Sequence, residues 1–294
     1  MPQSSPLIFG EVLFDCFPDG RKVLGGAPFN VAWNLQAFGC RPLFMSRVGE
    51  DREGRRIRDA MTAWGMDTTL LQTDASRPTG RVEITLVDGE PRFTILPDQA
   101  YDFIEPVPDG GVMHPSFLYH GSLALRGERC RSTLAALMEK HPCPVFLDVN
   151  LRDPWWKRED ILPMIHKAAW LKLNDDEWSA LFPDLPDHEN GSMEVLERFN
   201  LEGVCITMGA RGACARSRES GFFSMEPPSR VEVVDTVGAG DAFSSVLLMG
   251  ILRGWPLSTT LERALEFAAG VVGQRGAIQE DENFYQSILA GWDT

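Results

Sequence analysis

The sequence predicts an α/β protein built around a mostly parallel sheet. Strand-like apolar runs alternate with helical patterns along most of the 294 residues, which is typical of a parallel sheet covered by helices. Hydrophobic residues make up 44% of the chain, enough for a large core. One stretch in which apolar and polar residues alternate interrupts this order of strands and helices. We therefore expect a single domain over residues 1–294, with a small β lid, mainly residues 80–101, inserted in it.

The first 65 residues predict the order β-α-β-α. A buried strand is expected over residues 7–14, with Gly10 inside it, and another over residues 43–48. Helical spacing follows each strand, over residues 29–38 and over the arginine-rich residues 53–64. This order indicates parallel strands joined by helices on the faces of the sheet.

The alternating stretch predicts a β-hairpin. Residues 80–87 and 92–96 are its expected strands, and Asp88-Gly89 is its turn. Because a two-stranded ribbon is barely stable alone, it must lean on a ligand, on the domain or on the same ribbon of a second subunit. Alternation predicts one buried apolar face on the ribbon. That face consists of Val82, Ile84, Leu86, Phe93 and Ile95.

The α/β rhythm resumes after the lid. Strands are expected over residues 117–120, 145–149, 170–173 and 204–208, and a second hairpin over residues 213–217 and 221–225. Helices are expected over residues 128–140, 160–167, 175–182, 193–199, 257–274 and 282–289.

Charge and cysteine content narrow the class of protein. Lys and Arg number 28 against 42 Asp and Glu, for a net charge of −14, which argues against a nucleic-acid partner or an anionic membrane surface. The 6 cysteines show no Cys-x-x-Cys spacing, so free thiols in a reducing compartment are expected. The chain shows no signal-peptide pattern and no apolar run of membrane-spanning length. A cytoplasmic protein without membrane partners is the expectation.

Residues 235–241, with the sequence Asp-Thr-Val-Gly-Ala-Gly-Asp, are the most informative segment. A short β-branched strand is expected over residues 231–234, and a helix from residue 242 to about residue 254. The glycines allow close approach to the positive end of this helix, which suits a phosphate. Asp241 could take a proton from a hydroxyl group there. The alternative is a tight turn with an ordinary capping aspartate.

A second polar group follows the first strand. Gly25 and Gly26 form a turn, and Asn30 lies in the first turn of the next helix. Its amide can donate to one hydroxyl and accept from another. Asp15 follows the first strand, at the edge where α/β sheets bind ligands. Each residue alone could equally make a turn or cap contact.

Two further strands end in polar residues. If the strand over residues 145–149 continues, alternation points Asp148, Asn150 and Arg152 to one face, and Arg152 could reach an anionic oxygen. Asn174 and Glu177 follow the next strand. They suit either a capping box or a water-mediated Mg²⁺ contact, and the two roles are compatible.

These motifs together resemble those of the ribokinase-like (PfkB-type) carbohydrate kinases, in the style of bacterial fructokinases. Five motifs occur in the family's order between Gly10 and Ala277. The chain has no P-loop motif and only a poor dinucleotide fingerprint. The resemblance implies a three-layer sandwich with a mostly parallel central sheet and a small β lid.

The resemblance also implies an activity. The expected reaction is transfer of the γ-phosphate of ATP to a sugar hydroxyl, with fructose as the first expected acceptor and with sugar and ATP as the partners. A kinase for 2-keto-3-deoxygluconate or for another sugar or a nucleoside is the first alternative. A non-catalytic sugar-binding protein on the same fold is the second. Relatives dimerise through the lid, which implies a homodimer.

The resemblance assigns roles residue by residue. Asp241 would be the base, with Gly238, Ala239 and Gly240 as the anion hole. Asp15, Gly25, Gly26, Asn30 and Arg152 would bind the sugar. Asn174, Thr207, Gly209, Gly212 and Gly276 would bind the nucleotide. Glu177 would hold Mg²⁺ through water, and Asp235 would contribute to a monovalent-cation site for K⁺.

Overall fold

A computed structural model describes residues 5–87, 90–107, 114–185, 187–228, 233–274 and 276–292. The strands are β1 (Leu7–Phe9), β2 (Leu13–Cys16), β3 (Lys22–Gly25), β4 (Leu43–Gly49), β5 (Leu71–Asp74), β6 (Gly80–Val87), β7 (Glu90–Ile95), β8 (Leu118–His120), β9 (Val145–Asp148), β10 (Trp170–Asn174), β11 (Gly203–Thr207), β12 (Ala213–Ser217) and β13 (Gly221–Met225). The helices are α1 (Ala27–Ala37), α2 (Arg52–Ala63), α3 (Glu128–Lys140), α4 (Arg158–Ile165), α5 (Asp175–Leu181), α6 (His188–Arg198), α7 (Ala239–Arg253), α8 (Leu257–Val272) and α9 (Glu282–Trp292).

The main sheet is mostly parallel, as the alternation of strands and helices predicted. Across the described ranges its strand order is β13-β12-β11-β10-β9-β8-β1-β4-β5. The pairs from β11 to β5 are parallel, whereas β12 and β13 are antiparallel additions at one edge. The carboxyl ends of β1, β9, β10 and β11 therefore meet along one edge of the sheet.

Helices cover both faces of this sheet. Ile8 of β1 packs in a core that includes Phe29 of α1 and Phe243 of α7. Its neighbour Leu7 points to the opposite face and packs with Leu134 of α3. Because successive strand residues face opposite sides, both faces of β1 are apolar. The predicted three-layer sandwich is confirmed.

The lid is larger than the predicted hairpin. In the described part of the chain it is a separate sheet of four strands, in the order β3-β2-β6-β7. The prediction of one strand over residues 7–14 is wrong, because β1 ends at Phe9 and β2 belongs to the lid. The chain changes sheets at Gly10, whose φ is 153° and whose Cβ atom would lie 2.4 Å from Cγ of Pro28. Strands β3 and β5 were not predicted, since both are short and partly polar.

The apolar face of the lid is only partly buried. Val82 and Ile84 are buried, and Ile95 packs against the same small core. Phe93 pairs across the ribbon with Ile84 but is 57% exposed, so its predicted burial is wrong within this chain. Strand β7 lies at the edge of the lid sheet, which leaves Phe93 uncovered. The side chain of Leu86 and the predicted Asp88-Gly89 turn lie outside the described residues.

The strand predicted before the glycine turn is wrong where it is described. Residues 231–232 lie outside the described ranges, and Val233 and Val234 are not in a strand. They are 66% and 51% exposed. The amides of Val234 and Asp235 donate instead to the carbonyl of Val272, at the end of α8.

Two further expectations, on the cysteines and on membrane-spanning helices, can be compared with the structure. All six cysteines are free thiols, as their scattered spacing predicted. Nowhere in the described ranges is there a helix with the length and apolar character needed to cross a membrane.

Candidate active site

The glycine turn is held against a neighbouring loop. Gly238 caps α7 with a φ of 82°, in the left-handed region. A Cβ atom there would lie 2.4 Å from Cα and Cβ of Ala277, so both the backbone angle and the close approach require glycine. The carboxylate of Asp235 joins the same segments. It accepts hydrogen bonds from the amide of Val237 at 3.0 Å and from the amide of Gly276 at 3.1 Å.

Helix α7 begins with Ala239, Gly240 and Asp241. These residues therefore lie at the positive end of a helix, where first-turn amides lack acceptors within the helix and can bind an anion. The amide of Ala239 also donates to the carbonyl of Thr236 at 3.3 Å. The helix was predicted only from residue 242. It begins earlier because Gly238 adopts the left-handed angle and Gly240 is helical.

Asn30 contacts Asp241 directly. Its Nδ2 donates to Oδ2 of Asp241 at 2.7 Å, which joins α1 to α7. A Cβ atom at Gly25 would lie 3.7 Å from Oδ2 of Asp15 and 3.9 Å from Oδ1 of Asn30, so these residues surround one space. Oδ1 of Asn30 is buried and has no hydrogen-bond partner among the described residues. Such an acceptor suits a hydroxyl group of a ligand.

Gly26 sets the entrance to helix α1. It is the N-cap of this helix, with a φ of 112°. A Cβ atom at Gly26 would lie only 2.7 Å from the carbonyl oxygen of Glu11. A side chain there would push α1, and with it Asn30, away from the segment of Glu11 and Val12 that precedes β2.

Burial raises the pKa of both carboxylates in this space. Removal from water raises the pKa of Asp241 from 3.8 to about 6, although the hydrogen bond from Asn30 opposes the rise. Removal from water also raises the pKa of Asp15 from 3.8 to about 6. A carboxylate that binds protons near pH 6 is a stronger base than an exposed one and is still mostly ionised at pH 7.

Arg152, in the loop after β9, lies near enough to Asp15 and Asp241 for its charge to act on both. It is exposed, and its charge opposes the rise in the pKa of each carboxyl. The strand does not continue to Arg152, so alternation does not bring Asp148, Asn150 and Arg152 to one face. Strand β9 ends at Asp148, and Asn150 has a φ of 44°, a left-handed conformation that asparagine tolerates and that ends the alternation.

The nucleotide candidates lie on the neighbouring strands. Asn174 and Thr207 are paired positions at the ends of β10 and β11. Oδ1 of Asn174 accepts from the amide of Glu177 at 2.9 Å, and Oε2 of Glu177 accepts from the amide of Asn174 at 2.8 Å. This is the capping box allowed by the sequence. Oε1 of Glu177 accepts from the amide of Leu151 at 2.8 Å.

Glu177 can serve Mg²⁺ only as a modest ligand. Each carboxylate oxygen already accepts one amide but keeps capacity for another hydrogen bond or a metal-bound water. Burial raises the pKa of Glu177, and the charge of Lys172 opposes that rise. Within the described ranges, no three His, Cys, Asp or Glu side chains converge as a metal-binding cluster. Because Mg²⁺ keeps several waters and needs few carboxylates, a water-mediated contact fits this residue.

The loop after β11 is shaped by two glycines. Gly209 has a φ of 56° with open space around it, and Gly212 has a φ of 90°. A Cβ atom at Gly212 would lie 1.9 Å from the carbonyl oxygen of Met225. The amide of Met208 closes the loop by donating to the carbonyl of Gly212 at 2.7 Å. Gly276 has a φ of 84°, also with open space around it.

Lys172 and Asp148 form a buried ion pair to which the sequence analysis gave no role. Nζ of Lys172 lies 3.0 and 3.2 Å from the two carboxylate oxygens of Asp148. The two residues are paired positions on β10 and β9. The sequence held a signal, because a lysine inside a buried parallel strand needs a charged partner and the preceding strand ends in an aspartate.

Glu11 is a second residue that the sequence analysis left without a role. It is buried, and its Oε2 has no hydrogen-bond partner among the described residues. Burial raises its pKa from 4.5 to about 7, and the nearby negative charge of Asp241 contributes to the rise. The signal in the sequence was an acid inside the apolar run of residues 7–14.

A cleft of about 570 Å³ lies between the lid strand β3, helix α2 and the loop at residues 276–280. Of the predicted site residues, Gly276 lines this cleft, and the residues around Asp241 do not. Phe14 forms part of its wall, and the guanidinium carbon of Arg56 lies 4.6 Å from the centre of the Phe14 ring. The cleft is therefore next to the site but distinct from the space beside Asp241.

Comparison with known proteins finds a family and relatives that match most of the chain. A sequence model described as "pfkB family carbohydrate kinase" matches residues 16–283. A fructokinase from Klebsiella pneumoniae is 32% identical over 258 residues, covering 83% of this chain and 83% of the relative.

Two solved structures share the fold over nearly the whole length. A fructokinase from Vibrio cholerae O395, bound to fructose, ADP and calcium ion, has a TM-score of 0.81 and 25% identity, covering 98% of each chain. An aminoimidazole riboside kinase from Salmonella enterica, complexed with aminoimidazole riboside and an ATP analog, has a TM-score of 0.82 and 25% identity. The match covers 97% of this chain and 100% of the riboside kinase chain.

Proposed function

This chain belongs to the pfkB family of carbohydrate kinases, and we propose that it transfers the γ-phosphoryl group of ATP to a hydroxyl group of fructose. The observation that carries the proposal is the 2.7 Å contact between Asn30 and Asp241. It joins a candidate hydroxyl-binding amide to the candidate base beside the glycine turn. The fructokinase from Klebsiella pneumoniae, at 32% identity, supports fructose as the acceptor.

The reaction needs a base and an anion site in contact. In this proposal the acceptor hydroxyl lies against Asp241, which takes its proton while the hydroxyl oxygen attacks the γ-phosphorus. The bond from that phosphorus to its bridging oxygen breaks, and ADP leaves with the electron pair. The first-turn amides of α7 stabilise charge on the transferring group. Asn30 and Asp15 orient the acceptor by bonding its other hydroxyls.

The metal and nucleotide assignments are part of the same proposal. Bound Mg²⁺ would neutralise negative charge on the phosphates, and Glu177 would hold it through water. Asn174, Thr207, Gly209, Gly212 and Gly276 would line the nucleotide site. Asp235 would contribute an oxygen to a K⁺ site, although both of its carboxylate oxygens already accept backbone amides.

ADP release over a panel of acceptors tests the proposal. The panel contains fructose, glucose, ribose, 2-keto-3-deoxygluconate and a purine nucleoside, each with ATP and Mg²⁺. We expect the largest kcat/KM with fructose. A larger value with any other acceptor would contradict the fructose assignment. If all acceptors are inactive but calorimetry detects sugar binding, the protein is a non-catalytic sugar-binding member of the fold.

A riboside is the second candidate acceptor. The aminoimidazole riboside kinase of Salmonella enterica matches this chain with a TM-score of 0.82. The fructokinase from Vibrio cholerae O395 has almost the same TM-score, 0.81. A furanose ring presents similar hydroxyls in both acceptors, so Asp15 and Asn30 suit either one. The nucleoside in the panel separates the two candidates.

A homodimer formed through the lid is also part of the proposal. Phe93 is 57% exposed on the edge strand β7, and a large exposed aromatic on a sheet edge favours pairing with a second copy. Light scattering on Phe93→Asp is expected to show a monomer where the wild type shows a dimer. Thr94→Asp, another exposed position on this strand, is the matched control. A monomeric wild type would overturn this part.

A further inference from the structure

Lys172 is a buried lysine on the central strand β10. Its side chain is 7% exposed and that of its partner Asp148 is 1% exposed. A structural ion pair in such a place is usually no more stable than an apolar pair of the same size. Stability alone therefore does not explain why the chain places a lysine in the centre of β10.

The ion pair touches the glycine turn at two points. A Cβ atom built on Gly240 would lie 3.4 Å from Nζ of Lys172, so the ammonium group lies directly beside the anion-hole backbone. Oγ of Ser244 lies 2.6 Å from Oδ2 of Asp148 and 2.9 Å from the carbonyl oxygen of Gly240. Both members of the pair are thus connected to the first turn of α7, one by packing and the other through a hydroxyl.

The charges around Asp241 come from several elements. Asp148 and Glu11 are negative when ionised and oppose its ionisation, whereas Lys172 and Arg152 are positive and favour it. Arg152 is exposed on a loop, so water screens it. Lys172 is the buried cation of this group. The polar neighbours also include Asn30, which donates a hydrogen bond, and the neutral Tyr119, whose hydroxyl lies 3.1 Å from Asp148. The negative charge of Glu177 also acts on Lys172 and Asp148.

We propose that Lys172 is a positioning residue of the phosphoryl transfer, and that the Lys172–Asp148 pair behind the glycine turn sets the charge that Asp241 meets as it takes the proton. This inference rests on the proposed kinase function and deepens it. Lys172 favours the ionised base, and Asp148 fixes the ammonium group in place and moderates its effect. Because Lys172 is buried, water screens its charge little.

The pH dependence of kcat distinguishes this role from a merely structural one. Loss of the lysine charge makes ionisation of Asp241 harder, so the acid limb of the kcat profile moves to higher pH in Lys172→Met. A shift of about one pH unit is expected for one unit charge at a partly buried site. Lys172→Arg keeps the charge and is the matched control, and its acid limb is expected close to that of the wild type.

Removing the charge of the partner Asp148 is expected to shift the acid limb of kcat in the opposite direction. Asp148→Asn removes a negative charge, so its acid limb is expected at lower pH than that of the wild type. The double variant Asp148→Asn with Lys172→Met leaves a neutral pair of similar size. Its acid limb is expected to lie above that of Asp148→Asn. If Lys172→Met alone does not fold, this pair of variants still measures the effect of the lysine charge.

The outcomes separate this inference from the proposed function. A wild type that phosphorylates no acceptor, or an Asp241→Asn variant with full turnover, overturns the function itself. The role of Lys172 alone is overturned if the wild type is active but Lys172→Met has the same acid limb. It is also overturned if Asp148→Asn and the double variant have the same acid limb. A shift equal in Lys172→Arg and Lys172→Met also overturns it, because packing and not charge is then responsible.

Discussion

The two halves of the candidate site satisfy their polar groups in opposite ways. Around Asp241, Oδ1 of Asn30 and Oε2 of Glu11 are buried without partners among the described residues. Around Glu177, each carboxylate oxygen already accepts a backbone amide. We call these the acceptor half and the nucleotide half.

This difference indicates how each half recognises its ligand. In the proposed function, hydroxyl groups of the acceptor would offset the cost of burying these polar atoms. The acceptor half would then select between acceptors. In the nucleotide half the carboxylate of Glu177 is satisfied without a ligand, and the turns at Gly209 and Gly212 are set by backbone shape. Substitutions in the two halves should therefore have separable effects.

The largest expected effect is that of Asp241→Asn. Asparagine keeps the shape and can still accept the hydrogen bond from Asn30, but it cannot take the proton. Turnover is expected to fall about 10²–10⁴-fold, with little change in sugar affinity by calorimetry. Glu139→Gln, an exposed position on α3, is the control. A variant that keeps more than about a tenth of wild-type turnover would show that Asp241 is not the base.

In the nucleotide half, Gly212→Ala should disturb shape without touching the acceptor. The new Cβ atom would meet the carbonyl oxygen of Met225, and the residue would keep a strained φ. A loss of about 2–4 kcal/mol in the free energy of unfolding is expected from strain and overpacking together, together with a higher KM for ATP. Denaturant titration and initial rates measure the two effects.

The matched variant for this position is Gly209→Ala. Its φ of 56° is also left-handed, but no atom lies within 4 Å of the new Cβ atom. It should lose only about 1 kcal/mol, the cost of the backbone angle. Equal losses in the two variants would mean that the contact with Met225 does not shape the loop.

Asp15→Ala tests the acceptor half in turn. A hydrogen bond to a charged group contributes about 1.5–3 kcal/mol, so sugar binding is expected to weaken by that amount. The KM for ATP should stay near its wild-type value, since Asp15 lies on the lid strand β2. Isothermal titration with the sugar measures the loss. Unchanged sugar affinity would remove Asp15 from the acceptor half.

The smallest effect is expected from pH alone. Because burial raises the pKa of Asp15 and of Asp241 to about 6, both gain protons as the pH falls through that value, and the rate should decline. In kcat/KM for the sugar, both groups of the free enzyme count, so the acid limb should be steeper than a single ionisation. At saturating sugar Asp15 is held ionised by its ligand, and kcat should follow one ionisation. Identical slopes would contradict a binding role for Asp15.

Much of the fold could be predicted because its signals are local. The apolar runs of β4, β8, β9, β10 and β11 gave strands close to their observed ranges. The wrong predictions lie where contacts with residues distant in the sequence determine the local structure. Residues 7–14 form a continuous apolar pattern, but contact between Gly10 and Pro28 turns the chain from one sheet into the other. The valines at 233–234 look like a strand, yet the backbone amides at Val234 and Asp235 bond to the end of α8.

The sequence by itself determined the chemistry of the candidate residues and their order, because glycine turns, strand ends and helix starts depend on residue type over short distances. Only the tertiary structure decided which of them meet. Asn30 and Asp241 are 211 positions apart in the chain yet form one hydrogen bond, and Lys172 and Asp148 become partners through strand register. Burial of these groups, and with it the raised pKa of Asp241, depends on the whole packed structure that excludes water from them.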